Sequence, residues 1–451
     1  MTTLGLLGSV VLLIVLALRG INIIFASLLC STVVILTNNL PIATGLAQYF
    51  SFGPLGAFTF AGKFFLLFAA GAIFGRVMGE SHAAASIALR LIDKLGADRA
   101  LWITVLACAL LTYGGVVVFV VIFAMYPLGL KLLQEADIPK RLFCAALALG
   151  AGAFTLTALP GTPSIQNVIA SVGLGTDLFA GFWLGIGGGV LMLVFGMWYL
   201  ETERKKARLA GEHFELGPND KIFEVEQDQY PHWMLAMVPI TIVLSLIIAP
   251  RLMDSLATGD SGLAQLVLFA SSQPVVWPSI ALIFGSVVAC LMFKSIRASA
   301  LNVMGQGTND AIMPLINTAA VIGFGGVVTQ TVGFEAFSAA LLGSDLPPLI
   351  SAFTSVSLVS AITGSASGGL QIFMQTLAPA YLEMGIEPQV LHRIVTIASG
   401  GFDSLPHCGA VVAMLTITGL THKQAYKDVG VITVVIPVVV CLILIGALAI
   451  I

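Results

Sequence analysis

The stretch "TALPGTPSIQN", residues 157–167, lies inside one of the most apolar regions of the chain and is nevertheless built to interrupt a helix. Pro160 and Pro163 lack backbone donors and cannot continue a helix, and Gly161 stands between them with Thr162. The polar groups around them, Thr157, Ser164, Gln166 and Asn167, carry no charge. A second apolar run is interrupted in the same way at Leu405-Pro406, within "ASGGFDSLPHCGAVVAM", residues 398–414. Two more apolar runs, 100–133 and 347–384, carry glycine-rich breaks, "YGG" at 113–115 and "GSASGG" at 364–369.

The surroundings explain why such breaks matter. Of the 451 residues, 58% are hydrophobic and 10% charged, and the mean hydropathy is +1.02. A soluble domain carries about 25% charged residues, so the chain is an integral membrane protein. A net charge of −3 gives no footing for nucleic acid. The first apolar run, 4–18, has no basic segment before it and reads as a retained span rather than a cleaved signal. The six cysteines (30, 108, 144, 290, 408 and 441) all lie in apolar segments and form no CxxC pair, which makes them small core residues. No metal cluster is visible, and "GIGGGV" at 185–190 suits helix packing better than phosphate binding, so no cofactor is expected.

A spanning helix needs about 20 apolar residues. Windows at 4–19, 21–38, 57–78, 179–200, 232–250, 276–293, 311–332 and 429–450 meet or approach this. The runs 141–175 and 389–420 are broken spans. The arms of 100–133 and 347–384 are about 20–25 Å long at 1.5 Å per residue, short for a core of about 30 Å, and are expected to be re-entrant helical hairpins. With the N-terminus outside, all basic residues except Lys63, Arg251 and Arg393 fall on the cytoplasmic side, as the positive-inside rule asks. Both termini are then outside, and the polar linker 201–231 is cytoplasmic.

The linker divides the chain into residues 1–200 and 232–451, each with five crossings, one hairpin and one broken helix in the same order. An odd number of crossings gives the two copies opposite orientation, so the expected fold is an all-α inverted 5+5 repeat. Broken backbone at membrane depth is tolerated only where it is buried in protein or lines a cavity, and transporters of this kind hold their substrate at such breaks. Helix N-termini there offer free N–H groups and partial positive charge to an anion. The expected substrate site comprises Tyr113, Gly114 and Gly115 of the first hairpin tip, and Thr157, Pro160, Gly161, Thr162, Ser164, Gln166 and Asn167 of the first break. The second tip adds Gly364, Ser365, Ser367 and Gly368, and the second break adds Ser404.

Of 23 acidic residues and six histidines, only Asp403 and His407 fall deep within a span by this reading. Charges at that depth are costly and usually functional. The pair is a candidate proton site, with an ion pair bracing the break as the alternative. Lys63 is expected to snorkel, and Arg141 and Arg393 to anchor at the interface. No deep arginine is then available for a carboxylate.

These segments, together with "LLFAAGAIFGRVM" (66–78), "LLTYGGVVVFVVIFAMYPL" (110–128) and "EADIPKRL" (135–142), resemble the gluconate permease (GntP) family of the ion-transporter superfamily over nearly the whole chain. The resemblance implies a cation-coupled importer of small hydroxy-carboxylates in a bacterial inner membrane, usually proton-coupled. It also implies a homodimer in which mobile domains ride in an elevator fashion on a scaffold. Gluconate-type members carry a histidine at the first break where this chain has "ALPGTPS", so the resemblance is nearer to the D-3-hydroxybutyrate branch. The other expectations weighed are a sodium-coupled variant using the hairpin tips, a channel, and an intramembrane hydrolase built on Asp403, His407 and a serine or Cys408.

Overall fold

The computed structural model describes residues 2–450 except 117, 218–219, 221–229 and 254–261. All regular structure among the described residues is helical. Helices α1 (Thr2–Leu18), α2 (Ile23–Thr37) and α3 (Ala57–Glu80) come first, followed by the amphipathic α4 (Ala83–Leu95). The first expected hairpin is α5 (Ala100–Tyr113) packed on α6 (Val118–Ala136). The first broken helix is α7 (Lys140–Thr157) and α8 (Ile165–Leu174), and α9 (Phe182–Leu209) closes the half.

The second half runs α10 (Trp233–Met253), α11 (Gly262–Ser272), α12 (Val276–Met292), α13 (Ala300–Val328) and α14 (Val332–Leu342). Its hairpin is α15 (Pro348–Thr363) and α16 (Ala366–Thr376), and its broken helix is α17 (Pro388–Phe402) and α18 (Gly409–Thr418). The chain then ends with α19 (His422–Leu448). All four interruptions expected from glycine and proline are present.

Two lengths differ from expectation. Six described helices are long and apolar enough to cross a membrane, or seven if α11 and α12, bent by 103°, count as one. Others fall short: α1 has 17 residues and α2 only 15. The linker starts at Ala210 rather than 201, because α9 continues through "ETERKKAR". There Arg204 pairs with Glu201 at 2.9 Å and Lys206 with Glu203 at 2.7 Å, at the (i, i+3) spacing that brings side chains together on a helix.

The helices fall into two groups. In one, α3 packs against α13 and α12, with α2 against α13 and α10 against α12. In the other, α17 lies against α15, α8 and α19, and α5 against α7. The buried run Leu391–Gly401 shows that α17 is enclosed on every side. The two broken helices touch where the Thr157 methyl stands 2.5 Å from the position a side chain on Gly400 would take. The groups meet along a seam where α16 faces α13 and α6 faces α3.

Beyond α9 the linker folds back on the second group. Asp220 accepts from Lys140 at 2.8 Å, from the Tyr126 hydroxyl at 2.6 Å and from the Gly217 N–H at 2.7 Å. Burial alone would raise this carboxyl; Lys140, Tyr126 and Gly217 outweigh it and hold it below the usual carboxylate range. Lys140 also donates to Thr418 O, at the end of α18. Arg141 is no free interfacial anchor: it is bound by Glu212 of the linker and by Asp428.

Candidate functional site

A cavity of about 510 Å³ opens along the seam. One wall comes from the first group: Leu67, Phe68 and Gly71 of α3, Leu282 of α12, and Pro314, Asn317, Thr318 and Val321 of α13. The opposite wall is made by the breaks. Val116 and Val118 start α6, Ser164–Gln166 start α8, Ser365–Ser367 start α16, and Cys408–Ala410 start α18. Four helix N-termini from four separate interruptions therefore face one space.

Their backbone donors are differently spent. Ser164 accepts from the Asn167 N–H at 3.3 Å and Ser365 from the Gly368 N–H at 3.1 Å, capping α8 and α16. At α18 no oxygen side chain caps the helix; the Cys408 sulfur is what faces the Ala410 and Val411 N–H groups. The chain turns between α15 and α16 at Gly364 (φ +60°), where a Cβ would stand 2.7 Å from the His407 ring.

Asp403 and His407 are the titratable side chains on the described walls apart from Cys408, and neither lysine nor arginine lines the cavity. The two do not pair. Ser404 Oγ donates to Asp403 Oδ1 at 2.9 Å, and the Asp403 carboxyl faces the Ala366 N–H at the start of α16. His407 Nε2 donates to Ala361 O at 3.1 Å, leaving Nδ1 as the acceptor of a neutral ring. The bracing ion pair is therefore replaced by two separate attachments, both to the second hairpin. No group of three His, Cys, Asp or Glu able to hold a metal occurs among the described residues.

Residues 1–451 match the family model described as GntP family permease. The chain belongs to the GntP permease family. It is 37% identical over 446 residues to the uncharacterized transporter YxjC of Bacillus subtilis (strain 168), covering 94% of each chain. It is 26% identical over 345 residues to an uncharacterized transporter of Haemophilus influenzae, covering 76% of this chain and 74% of the other. Among solved structures it is similar to the Alcanivorax borkumensis YdaH transporter, with a TM-score of 0.55 at 16% identity over 85% of each chain, a likeness of fold alone. The protein is thus a multi-span membrane transporter, and permeases are not enzymes.

Within the permease, the cavity wall includes Gly115, Ser164, Gln166, Gly364, Ser365, Ser367, Asp403, Ser404 and His407. The other expected site residues stand behind the wall. Tyr113 donates its hydroxyl to Pro160 O at 2.9 Å, and the N–H of Gly161 bonds Leu178 O at 2.9 Å. Thr157 donates to Ala153 O, the Gly114 N–H closes on Leu110 O, and the N–H of Gly368 serves the Ser365 cap. Asn167 Nδ2 donates to Thr162 O at 2.8 Å and to Leu178 O at 2.9 Å.

Two further ionisable residues belong to this brace. His392 and Arg393 are both fully buried. The loop 175–181 folds over the start of α17 and encloses them. Asn167 spends Nδ2 as donor, so its Oδ1 accepts from His392 Nε2 at 2.8 Å, and His392 Nδ1 then accepts from Thr176 Oγ1 at 2.7 Å. Arg393 donates to Ala180 O at 2.7 Å and 3.1 Å, so it is a brace rather than an interfacial anchor.

Asn167→Leu should be strongly destabilising, since it removes the side-chain donor to Thr162 O and strands His392 Nε2. Each buried group left unpaired costs about 1–3 kcal/mol. Thermal unfolding of the detergent-purified permease checks this; a wild-type midpoint would show that the brace carries no stability.

Sequence reasoning missed Asn317 and Thr318, which sit one turn beyond Pro314 in α13. A proline followed by an Asn-Thr pair in an otherwise apolar span ("MPLINTAAV", 313–321) was the available signal.

Proposed function

We propose that this permease imports a small hydroxy-monocarboxylate, 3-hydroxybutyrate-like or a related acid, together with a proton, by elevator-type alternating access. The observation that supports it most is the convergence of four helix N-termini on a cavity whose described walls hold one carboxyl group, Asp403, and neither lysine nor arginine. An anion in such a place is held by N–H groups and helix dipoles. With Asp403 charged beside it the site would hold two negative charges at membrane depth, which is costly. A proton that arrives with the substrate removes that conflict.

The arrangement in two helix groups with the cavity on their seam supports a moving and a static part. The repeated order of elements in residues 1–200 and 232–451 supports an inverted repeat with re-entrant hairpins. The charge distribution supports a bacterial inner-membrane protein with both termini outside, and the family likeness supports a homodimer. Uptake into proteoliposomes with pH and sodium gradients imposed separately tests the central claim. Accumulation driven by the pH gradient alone is expected; accumulation that follows sodium alone would replace the proton by sodium at the hairpin tip.

Sidedness has its own test. Cysteines replacing Gly96 and Glu135, in a background without the native six, should both label from the cytoplasm. Cysteines replacing Asp345 and Glu387 should both label from outside. Opposite-side labelling within either pair would mean that the helix pair crosses the membrane, and the inverted repeat would fall.

A further inference from the structure

We propose that Arg251 and Asp177 form a latch that holds the outer end of the seam closed and must part for the cavity to open outward. The inference rests on the alternating access and the orientation proposed above, and names a contact that separates the two states.

Arg251 stands in the last turn of α10, in the first helix group, and Asp177 lies in the loop 175–181 of the second. Arg251 Nη1 donates to Asp177 Oδ2 at 2.9 Å. The same guanidinium lies over the Phe179 ring, 5.1 Å from its centre. Of the ion pairs between described residues, this is the one that joins the first group to the second.

Each end of the pair is fixed to its own group. Arg251 is carried by α10, which packs on α12. Asp177 Oδ1 accepts from the Phe179 N–H at 2.8 Å, the Gly181 N–H donates to Gln389 Oε1 at 3.2 Å, and Arg393 donates to Ala180 O. The loop is therefore one body with α17. Phe179 in turn covers the first break, its ring 2.5 Å from the position a Cβ on Gly161 would take. Any sizeable displacement of one group along the other pulls the pair apart.

The cavity opens at the other end. Its wall runs from the breaks to Ala17, Gly20 and Ile21 and to Met414 and Val429, all toward the cytoplasm in the proposed orientation. No described residue of the loop 175–181 or of α10 lines it. The latch thus lies on the closed side, where alternating access needs a contact that breaks. Its side chains are 48% and 40% exposed. An exposed ion pair and a cation–π contact are each worth about two- to fivefold in an equilibrium. Such a contact biases the permease toward one state without trapping it, whereas removing one partner of a buried pair is strongly unfavourable.

The test uses the full permease in bacterial spheroplasts, with Gly409→Cys as reporter in a background without the native six cysteines. Position 409 lines the cavity, and a Cβ there meets nothing within 4 Å. The rate of labelling by a membrane-impermeant maleimide added outside is compared in the background, Arg251→Asp, Asp177→Arg and the double reversal. Each single reversal sets like charges together and should raise the rate about fivefold; the double reversal should recover most of the change. Arg251→Ala should also label faster, and decides the matter if a reversal is not recovered folded. Choline chloride at about 1 M should speed the background toward Arg251→Ala and leave that variant unchanged, because salt screens an exposed pair. Rates equal to the background in every variant, or a double reversal that keeps the raised rate, would overturn the latch while leaving the transport reading intact. A reporter that labels in inverted vesicles but never from outside, with or without 3-hydroxybutyrate, would sink alternating access itself, and the latch with it.

Discussion

Replacing Asp403 by Asn should abolish concentrative uptake while exchange of labelled for unlabelled substrate persists. One pH unit across the membrane is worth about 1.4 kcal/mol per proton, or tenfold accumulation at one proton per substrate. The variant should accumulate about onefold under the same gradient. Exchange needs the loaded site to move in both directions without releasing a proton, and a neutral Asn mimics the protonated carboxyl in size and charge. The geometry makes the experiment clean. Asp403 has no ion pair to lose, and Ser404 Oγ can donate to an amide oxygen as it does to Oδ1. The thermal midpoint should therefore stay near wild type. Undiminished pH-driven accumulation would remove Asp403 from coupling. Joint loss of exchange, accumulation and stability would make it a structural residue of the break.

The second large effect is expected at Gly369. Helices α15 and α16 approach so closely that a Cβ on Gly369 would sit 2.5 Å from the Ser360 Cα and 2.6 Å from its N. The obstacle is backbone, which cannot swing aside as a side chain can. Overpacking of this kind costs about 1–3 kcal/mol, occasionally more. Gly369→Ala should lower the thermal midpoint by several degrees, and Gly369→Val should leave little monodisperse protein. The neighbouring Gly368→Ala is the control, since its Cβ would meet only side-chain atoms, the nearest being Ser365 Cβ at 3.3 Å. It should purify normally. Equal behaviour of the two positions, read by size-exclusion chromatography and thermal unfolding, would show that the hairpin is loosely packed.

The breaks were legible because proline and glycine there cluster with hydroxyl and amide side chains inside an apolar run. "YGG", "GSASGG" and the two Leu-Pro segments each mark a real interruption, and nine of the residues chosen around them line the cavity. What spacing could not tell was which side of each break faces inward. Tyr113, Gly161 and Asn167 belong to the same segments but point into the brace, since their partners at Pro160, Leu178 and His392 come from loops or from the other half. Arg393 reads as interfacial because it lies five residues after Pro388. Its burial depends on the loop 175–181, more than 200 residues away in the chain, and no local pattern encodes that. Asn317 carries little local signal because α13 reads as an ordinary span, and only the seam gives one of its faces a purpose.

The brace between Asn167 and His392 has a consequence for how the protein is made. Residues 157–167 are synthesised long before residues 392–393, whose ring and guanidinium hold the first break and its covering loop. While the ribosome works through the second half, the amide oxygen of Asn167 in the first break and the carbonyl of Ala180 in its covering loop are still waiting for donors. Unpaired groups of that kind are poorly tolerated in hydrocarbon. The nascent first half must therefore keep its break close to water or to an insertion factor until α17 emerges. Two halves produced as separate chains should likewise reach the folded state only when each is present for the other.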